Sequence, residues 1–201
     1  SRRRSRTATT SASFRPSLAG EESIVAIERK LELTFPAEKV TKPILSEMAR
    51  KHPVVFWIDQ ANVSQRQGHF HFTLAGGDSD VDAAEAFLRE RGVGVNALSS
   101  GPFQRVMPDW PKREAVSADE PIVSRKLWLT FVGDVRNAPT IWEMNSRFDV
   151  TFDVRQSSTS DRVEIMAILL AGPRGQVDGA MAFLESKGVE VEPIEKSVVE
   201  G

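Results

Sequence analysis

A chain of 201 residues with no Cys, no Tyr and only three His cannot form disulfides, thiolate metal sites or a Cys nucleophile, and it holds little stock for general acid–base work. Its hydrophobic share of 40% and charged share of 27% are ordinary for a globular protein, and no apolar run approaches the roughly 20 residues that span a bilayer. The net charge of −2 hides an asymmetry: Arg2, Arg3, Arg4, Arg6 and Arg15 lie in an acid-free start, leaving 21 basic against 28 acidic residues elsewhere, so the body repels nucleic acid and only the arm attracts a polyanion.

Residues 1–22 are rich in Arg, Ser, Thr and Ala and have no hydrophobic period, the pattern of a disordered basic arm or the remnant of a transit peptide. The Ser/Thr content points to the plastid stroma, with a bacterial cytoplasm as the alternative.

From residue 29 onward the sequence repeats itself. Residues 29–98 align without a gap onto 125–194, with about 26 of 70 paired positions identical. Arg29-Lys30-Leu31-Glu32-Leu33-Thr34-Phe35 returns as Arg125-Lys126-Leu127-Trp128-Leu129-Thr130-Phe131, and Ala86-Phe87-Leu88 returns as Ala182-Phe183-Leu184. A repeat this long is a duplicated domain. Boundaries follow at 23–98 and 123–196, with a Pro-rich linker over 99–122 and a tail over 197–201.

Within each repeat the expected order is strand, helix, strand, strand, helix, strand. Leu31, Leu33 and Phe35 alternate with polar residues as a half-buried strand does. Ile44, Leu45 and Met48 recur at helical spacing, with Thr41 and Asn137 as expected N-caps of this helix and its counterpart. Residues 54–63 and 69–75 alternate on either side of a polar turn, a hairpin pattern. Val81, Ala84, Phe87 and Leu88 form the stripe of a second helix that Gly92 ends, and Gly188 is its equivalent. Val93 and Val95 close the unit. The fold class is α+β: two tandem ferredoxin-like βαββαβ domains, each a four-stranded antiparallel sheet with both helices on one face.

Helices cover one face only, so strand parity reveals the other. Repeat 2 presents Trp128, Ile165 and Leu169 there, a patch too apolar to leave in water without cause. The two sheets are therefore expected to meet face to face or edge to edge through these residues, with Val55 and Trp57 of repeat 1 as cover. The alternative is that the patch receives another subunit. Trp110 of the linker and Trp142 complete the expected interface set.

No site for chemistry stands out. His69 and His71 share a strand face but lack a third ligand, so no metal is assigned. Nothing resembles a phosphate loop, and no cofactor and no enzymatic activity are expected. The loops between the first strand and first helix place both signs of charge beside a helix N-terminus: Glu38 and Lys39 in repeat 1, Asp134, Arg136 and Asn137 in repeat 2. Such a pairing suits an amino acid's two charged groups.

The full repeat, from Arg29-Lys30-Leu31-x-Leu33-Thr34-Phe35-Pro36 through Pro43-x-Leu45-Ser46-Glu47 to Ala86-Phe87-Leu88-x-x-x-Gly92-Val93-x-Val95, resembles the NIL domain. This is the ACT-like regulatory domain at the C-terminus of the ATPase subunit of bacterial methionine importers. The resemblance implies a ferredoxin-like fold, domains paired through their sheets, and ligand binding at the pairing interface. Three departures stand against a straight transfer of methionine binding. No ATPase domain is present in the sequence. The Asn-Ile-Leu stretch is Trp57-Ile58-Asp59 here and Asp153-Val154-Arg155 in repeat 2, and the hairpin glycine Gly68 becomes Glu164. The functional expectation is a non-catalytic regulatory or assembly subunit that meets protein partners through the sheet face, linker and Arg-rich arm. The alternative is a sensor holding an amino acid between its two domains.

Overall fold

The computed structural model describes residues 25–117 and 119–194; the expected arm over 1–22 and tail over 197–201 lie outside them. Repeat 1 runs β1 (Ile27–Pro36), α1 (Ala37–Val40), α2 (Ile44–Lys51), β2 (Val55–Val63), β3 (Gln67–Gly76), α3 (Asp78–Glu90) and β4 (Gly94–Pro102). Repeat 2 runs β5 (Ile122–Val132), a 3₁₀ turn (Gly133–Asn137), α4 (Thr140–Arg147), β6 (Thr151–Thr159), β7 (Val163–Pro173), α5 (Arg174–Ser186) and β8 (Glu190–Pro193). The ferredoxin-like order is present twice.

The local reasons are those of period and punctuation. Leu31, Leu33 and Phe35 are buried on β1 while Lys30, Glu32 and Thr34 face the other way. The α2 stripe buries Ile44, Leu45, Met48 and Ala49, and α3 buries Val81, Ala84, Phe87 and Leu88. Both second helices stop at glycines whose φ angles of 82° at Gly92 and 88° at Gly188 are costly for any residue with a Cβ. On the far side of α3, Arg29 reaches up from β1 and donates to Asp82 at 2.7 Å and to the buried Glu85 at 2.8 Å. These acids hold the Arg29 guanidinium above its ordinary pKa.

Two local expectations need correction. Thr41 and Asn137 do not cap the first long helices: α2 and α4 start after Pro43 and Pro139, which serve as N-caps without side-chain bonds. The chain spends the preceding residues on a short helical turn in each repeat, α1 or the 3₁₀ turn, so the expected caps fall before the helix start. The last strand of repeat 1 is also longer than Val93 and Val95 suggest, because β4 continues to Pro102 along β1 past a bulge at Lys30/Leu31.

The two sheets are one. Strand order is β4-β1-β3-β2-β6-β7-β5-β8, a single eight-stranded sheet joined where β2 meets β6. That junction has a single bridge pair, Val63 with Ser157, supported by Ser157 Oγ donating to the Ala61 carbonyl at 2.9 Å. Trp128, Ile165 and Leu169 are therefore not the contact between the sheets; they sit on the helix-free face of repeat 2, with Ile165 at 41% exposure. Trp57 does not cover them either, since Phe103 packs against it at 5.7 Å and Arg105 lies over its ring. Edge pairing wins because β2 and β6 each offer unpaired backbone that no other strand fills.

One strand pair does not carry the joint alone. Helices α2 and α4 pack across it, with Ser46 Oγ donating to Asn145 Oδ1 at 2.6 Å and Asn145 Nδ2 donating back to the Ser46 carbonyl at 3.3 Å, all buried. The carbonyls just before the second strands are each capped from the opposite repeat. Trp142 Nε1 donates to the Val54 oxygen at 2.9 Å, and Arg50 donates to the Val150 oxygen. Residues 54 and 150 are equivalents, but their caps come from different helix positions, since the equivalent of Trp142 is Ser46 and that of Arg50 is Ser146. Phe56 and its equivalent Phe152 meet near the middle with ring centroids 6.3 Å apart.

Trp142 is fully buried and Trp110 of the linker packs edge-on against it at 5.0 Å, itself 45% exposed. Trp142→Ala removes a large core side chain and a carbonyl's donor together, and is expected to cost about 3–5 kcal/mol. Trp110→Ala is expected to cost under about 1 kcal/mol. Urea denaturation of both variants checks the ranking.

Candidate functional site

Joining the sheets through the ends of β2 and β6 leaves a cleft on each side of the seam. In the first, Phe56 and Ile58 of β2 face Phe131, Arg136, Ala138, Ile141 and Met166 of repeat 2. In the second, Phe152 and Val154 of β6 face Phe35, Val40, Lys42, Leu45 and Phe70 of repeat 1. Every one of these seven positions has its equivalent 96 residues away in the other cleft. The duplication thus builds two related clefts at the domain interface, each walled by both domains.

They differ in their ionisable groups. The first cleft adds Val135, Pro139, Trp142 and Glu164. Glu164 starts β7 in register with Phe131, on the parity of Met166, Ile168 and Leu170, which face the helices. It is 4% exposed, and its Oε1 has no hydrogen-bond partner among the described residues. Burial pushes its pKa up to about 7 against the opposing pull of Arg136, and the charge of Asp59 on the β2 bulge adds to the rise. Arg136 is already engaged: its Nη1 donates to the Asp161 carbonyl at 2.8 Å and its Nη2 to the Ser160 carbonyl at 3.0 Å, clasping the 3₁₀ turn to the β6–β7 hairpin. Its buried Nε has no partner among the described residues.

The second cleft has Gly68 where the first has Glu164. A Cβ there would lie 3.1 Å from the Phe70 ring, so glycine keeps that wall closed. Its acid is Asp153 from β6, which burial raises to about 6 while its ion pair with Arg155 pulls the other way.

Of the residues expected to bind a ligand, only Arg136 lines a cleft. Asp134 and Asn137 are exposed on the 3₁₀ turn, and Glu38 is exposed on α1. Lys39 extends toward the end of α3, with its Cε 3.2 Å from where a Gly92 Cβ would stand. Of the expected interface residues, Trp142 reaches the seam and the first cleft. Val55 and Trp57 are buried at the start of β2, Trp110 packs on Trp142, and Trp128, Ile165 and Leu169 remain on the open face. Among the described residues no group of three or more potential metal ligands exists, and no helix is long and apolar enough to cross a membrane.

Glu164 and the β2 pair Phe56 and Ile58 escape a sequence reading of the site. An acid on the inward parity of a strand, where the sister repeat has glycine, is the signal that points to the first of these.

The family model described as NIL domain matches residues 29–97 and again 125–193. A search of curated proteins gives no match. Among solved structures, an unknown protein from Galdieria sulphuraria is similar at 10% identity, with 85% of this chain and 99% of that one covered and a TM-score of 0.31. Aminoacylhistidine dipeptidase from Vibrio alginolyticus gives 10% identity, 85% and 40% coverage and a TM-score of 0.36. Aspartate kinase from Synechocystis gives 13% identity, 77% and 26% coverage and a TM-score of 0.28. This chain spans less than half the length of the dipeptidase and of the kinase. Similarity at these scores says nothing about activity.

Asp153 and Glu164, the two carboxyl groups that burial raises most, set a pH dependence, and Asp59, also raised, adds in the same direction. At low pH both are neutral in the folded and unfolded states alike. As pH rises above the ordinary values of 3.8 and 4.5 toward about 6 for Asp153 and about 7 for Glu164, the folded state keeps protons that the unfolded state has lost. Stability therefore falls with rising pH over this window. The two groups are expected to make the chain less stable at pH 8 than at pH 5 by on the order of 3 kcal/mol. Denaturation midpoints at the two pH values check this, and Glu164→Gln should remove about two-thirds of the difference.

Proposed function

The chain belongs to the NIL domain family in both of its repeats, and we propose that it is a non-catalytic regulatory module that holds a small ligand in the cleft between its two domains. What carries the reading is the first cleft: both domains build it, and it contains a buried carboxylate oxygen and a buried guanidinium nitrogen without partners. Unpaired buried polar atoms are costly, about 1–3 kcal/mol each, and a ligand with a donor and an acceptor would satisfy both. An amino acid has that pair of groups. Regulation follows from the position. A molecule bridging β2 to the 3₁₀ turn and α4 changes how firmly the domains are joined, and the linker through Trp110 touches the same Trp142 wall.

A second reading rests on a separate observation. The helix-free face of repeat 2 leaves Ile165 at 41% exposure beside the half-buried Trp128 and Leu169, a patch suited to a protein partner, with the linker and the arm as further docking points.

Thermal unfolding in the presence of individual amino acids and related metabolites separates the two. On the ligand reading, one of them at a hundredfold excess over its Kd raises the Tm by about 5–10 °C, and the tryptophan fluorescence change that accompanies binding disappears in Trp142→Phe. If no metabolite shifts the transition while Ile165→Asp abolishes association with a partner, the protein-contact reading takes its place.

A further inference from the structure

In repeat 2 the linker lies where the C-terminus of α4 meets α5, and the contacts that hold it are specific. Glu114 Oε1 accepts from Arg147 Nε at 2.9 Å and from Arg147 Nη2 at 2.7 Å. The Glu114 backbone N–H donates in turn to the Arg147 carbonyl at 2.8 Å. One residue on, Gln176 of α5 donates to the Ala115 carbonyl at 2.8 Å. An extended stretch of chain carrying one acid is thus gripped by side-chain and backbone groups together. Arg147 also lies over the Phe183 ring at 5.6 Å, and Lys187 lies over the same ring at 5.2 Å.

Repeat 1 has the same construction where α2 meets α3. Lys51 and Arg91, the equivalents of Arg147 and Lys187, lie over the Phe87 ring at 5.2 and 4.8 Å. His52 packs on Phe87 as its equivalent Phe148 packs on Phe183. Arg91 pairs with Glu47 just as Lys187 pairs with Glu143. The difference is at Lys51. Among the described residues it meets no carboxylate, and its carbonyl accepts no N–H from a neighbouring segment, whereas Arg147 has both from Glu114. The upstream sequence does not match the linker in register. The equivalent of Glu114 is Leu18, residues 1–20 carry five Arg and no acid, and Glu21 and Glu22 come three and four positions later. A basic segment is repelled by the pair of cations on Phe87.

We propose that this junction of α2 and α3, built on Lys51, His52, Phe87 and Arg91, is a docking seat for an extended acidic segment of a partner protein, received as the linker is received in repeat 2. The segment's carboxylate takes the Lys51 ammonium, and the N–H of the same residue donates to the Lys51 carbonyl. Asp80 stands where repeat 2 has Gln176 and offers an acceptor in place of a donor, so the residue after the acid is one with a hydroxyl or an amine to give. None of the four seat residues lines either cleft, and the assignment does not rest on the small-ligand reading.

A nitrogen-15 NMR titration of the full chain tests this with acetyl-Ala-Glu-Ser-Val-amide and its neutral isostere acetyl-Ala-Gln-Ser-Val-amide. The acidic peptide is expected to shift the amide signals of Lys51, His52, Phe87 and Arg91, and the neutral one to bind about fivefold more weakly. Lys51→Glu should abolish the shifts. Lys51→Arg, which supplies the two-pronged donor that repeat 2 uses, should tighten binding about threefold, a gain that a Lys51 serving only the end of α2 would not give. Equal binding of the two peptides, shifts that survive Lys51→Glu, or shifts only at other surfaces would each overturn the assignment. If replacing Glu21 and Glu22 by Gln moves the same signals with no peptide present, the chain's own segment is the occupant and the partner assignment falls. If an amino acid raises the Tm while neither peptide binds, the seat falls and the small-ligand reading stands.

Discussion

Everything at the seam follows from how little backbone holds it. A conventional sheet edge offers several ladder hydrogen bonds, whereas β2 and β6 share the single bridge pair Val63–Ser157. The joint therefore depends on side chains that cross it from the helix layer: the reciprocal Ser46–Asn145 pair, Trp142 on the Val54 carbonyl and Arg50 on the Val150 carbonyl. Each buried hydrogen bond of this kind contributes only about 1 kcal/mol net, but leaving its partner orphaned costs more. The strands overlap only near their ends, and the parts that do not overlap open into clefts. A tighter edge would be more stable and would have no site.

The same arrangement explains why duplication produced two clefts of unequal chemistry. The apolar positions of the clefts are also core positions of their domains, so packing keeps them alike: Phe56 with Phe152, Phe35 with Phe131, Phe70 with Met166. Gly68 and Ser46 are held by other constraints, a tight approach to the Phe70 ring and the hydrogen-bond pair with Asn145, which their equivalents in repeat 2 do not share. Glu164 and Trp142 bring an unpaired carboxylate and a large ring to the first cleft, whereas the second has the Arg155-paired Asp153. Glu164 carries a desolvation cost that Arg136 offsets only in part, and such costs persist where function uses them.

Much of the architecture was legible in the residues. Alternation at Leu31, Leu33 and Phe35, the helical stripe of Val81, Ala84, Phe87 and Leu88, and the stop at Gly92 each encode one local decision, and the structure follows them. The joining of the sheets was not legible in the same way. Parity shows which face of a strand is apolar, as it did for Trp128, Ile165 and Leu169, but it says nothing about which edge finds a partner. Asn62, Val63, Ser157 and Thr159 are unremarkable strand residues, and nothing in their pattern marks a junction. Arg136 could be suspected from the charge of its loop. Glu38, Lys39, Asp134 and Asn137 lie in the same two loops and are equally polar, yet they face solvent or another helix, because side-chain direction within a short turn depends on packing that the sequence pattern does not express.

The cleft's character depends on Glu164 being a buried, unsatisfied carboxyl at the joint between the two domains. A carbon-13 NMR titration of its side-chain carboxyl in the full chain addresses this directly, with Glu164→Gln to assign the signal. The expected midpoint lies near the value of about 7 that burial gives it. A midpoint in the ordinary glutamate range near 4.3 would mean that the group is hydrated or already paired, and the cleft would then lose its claim to be the functional site.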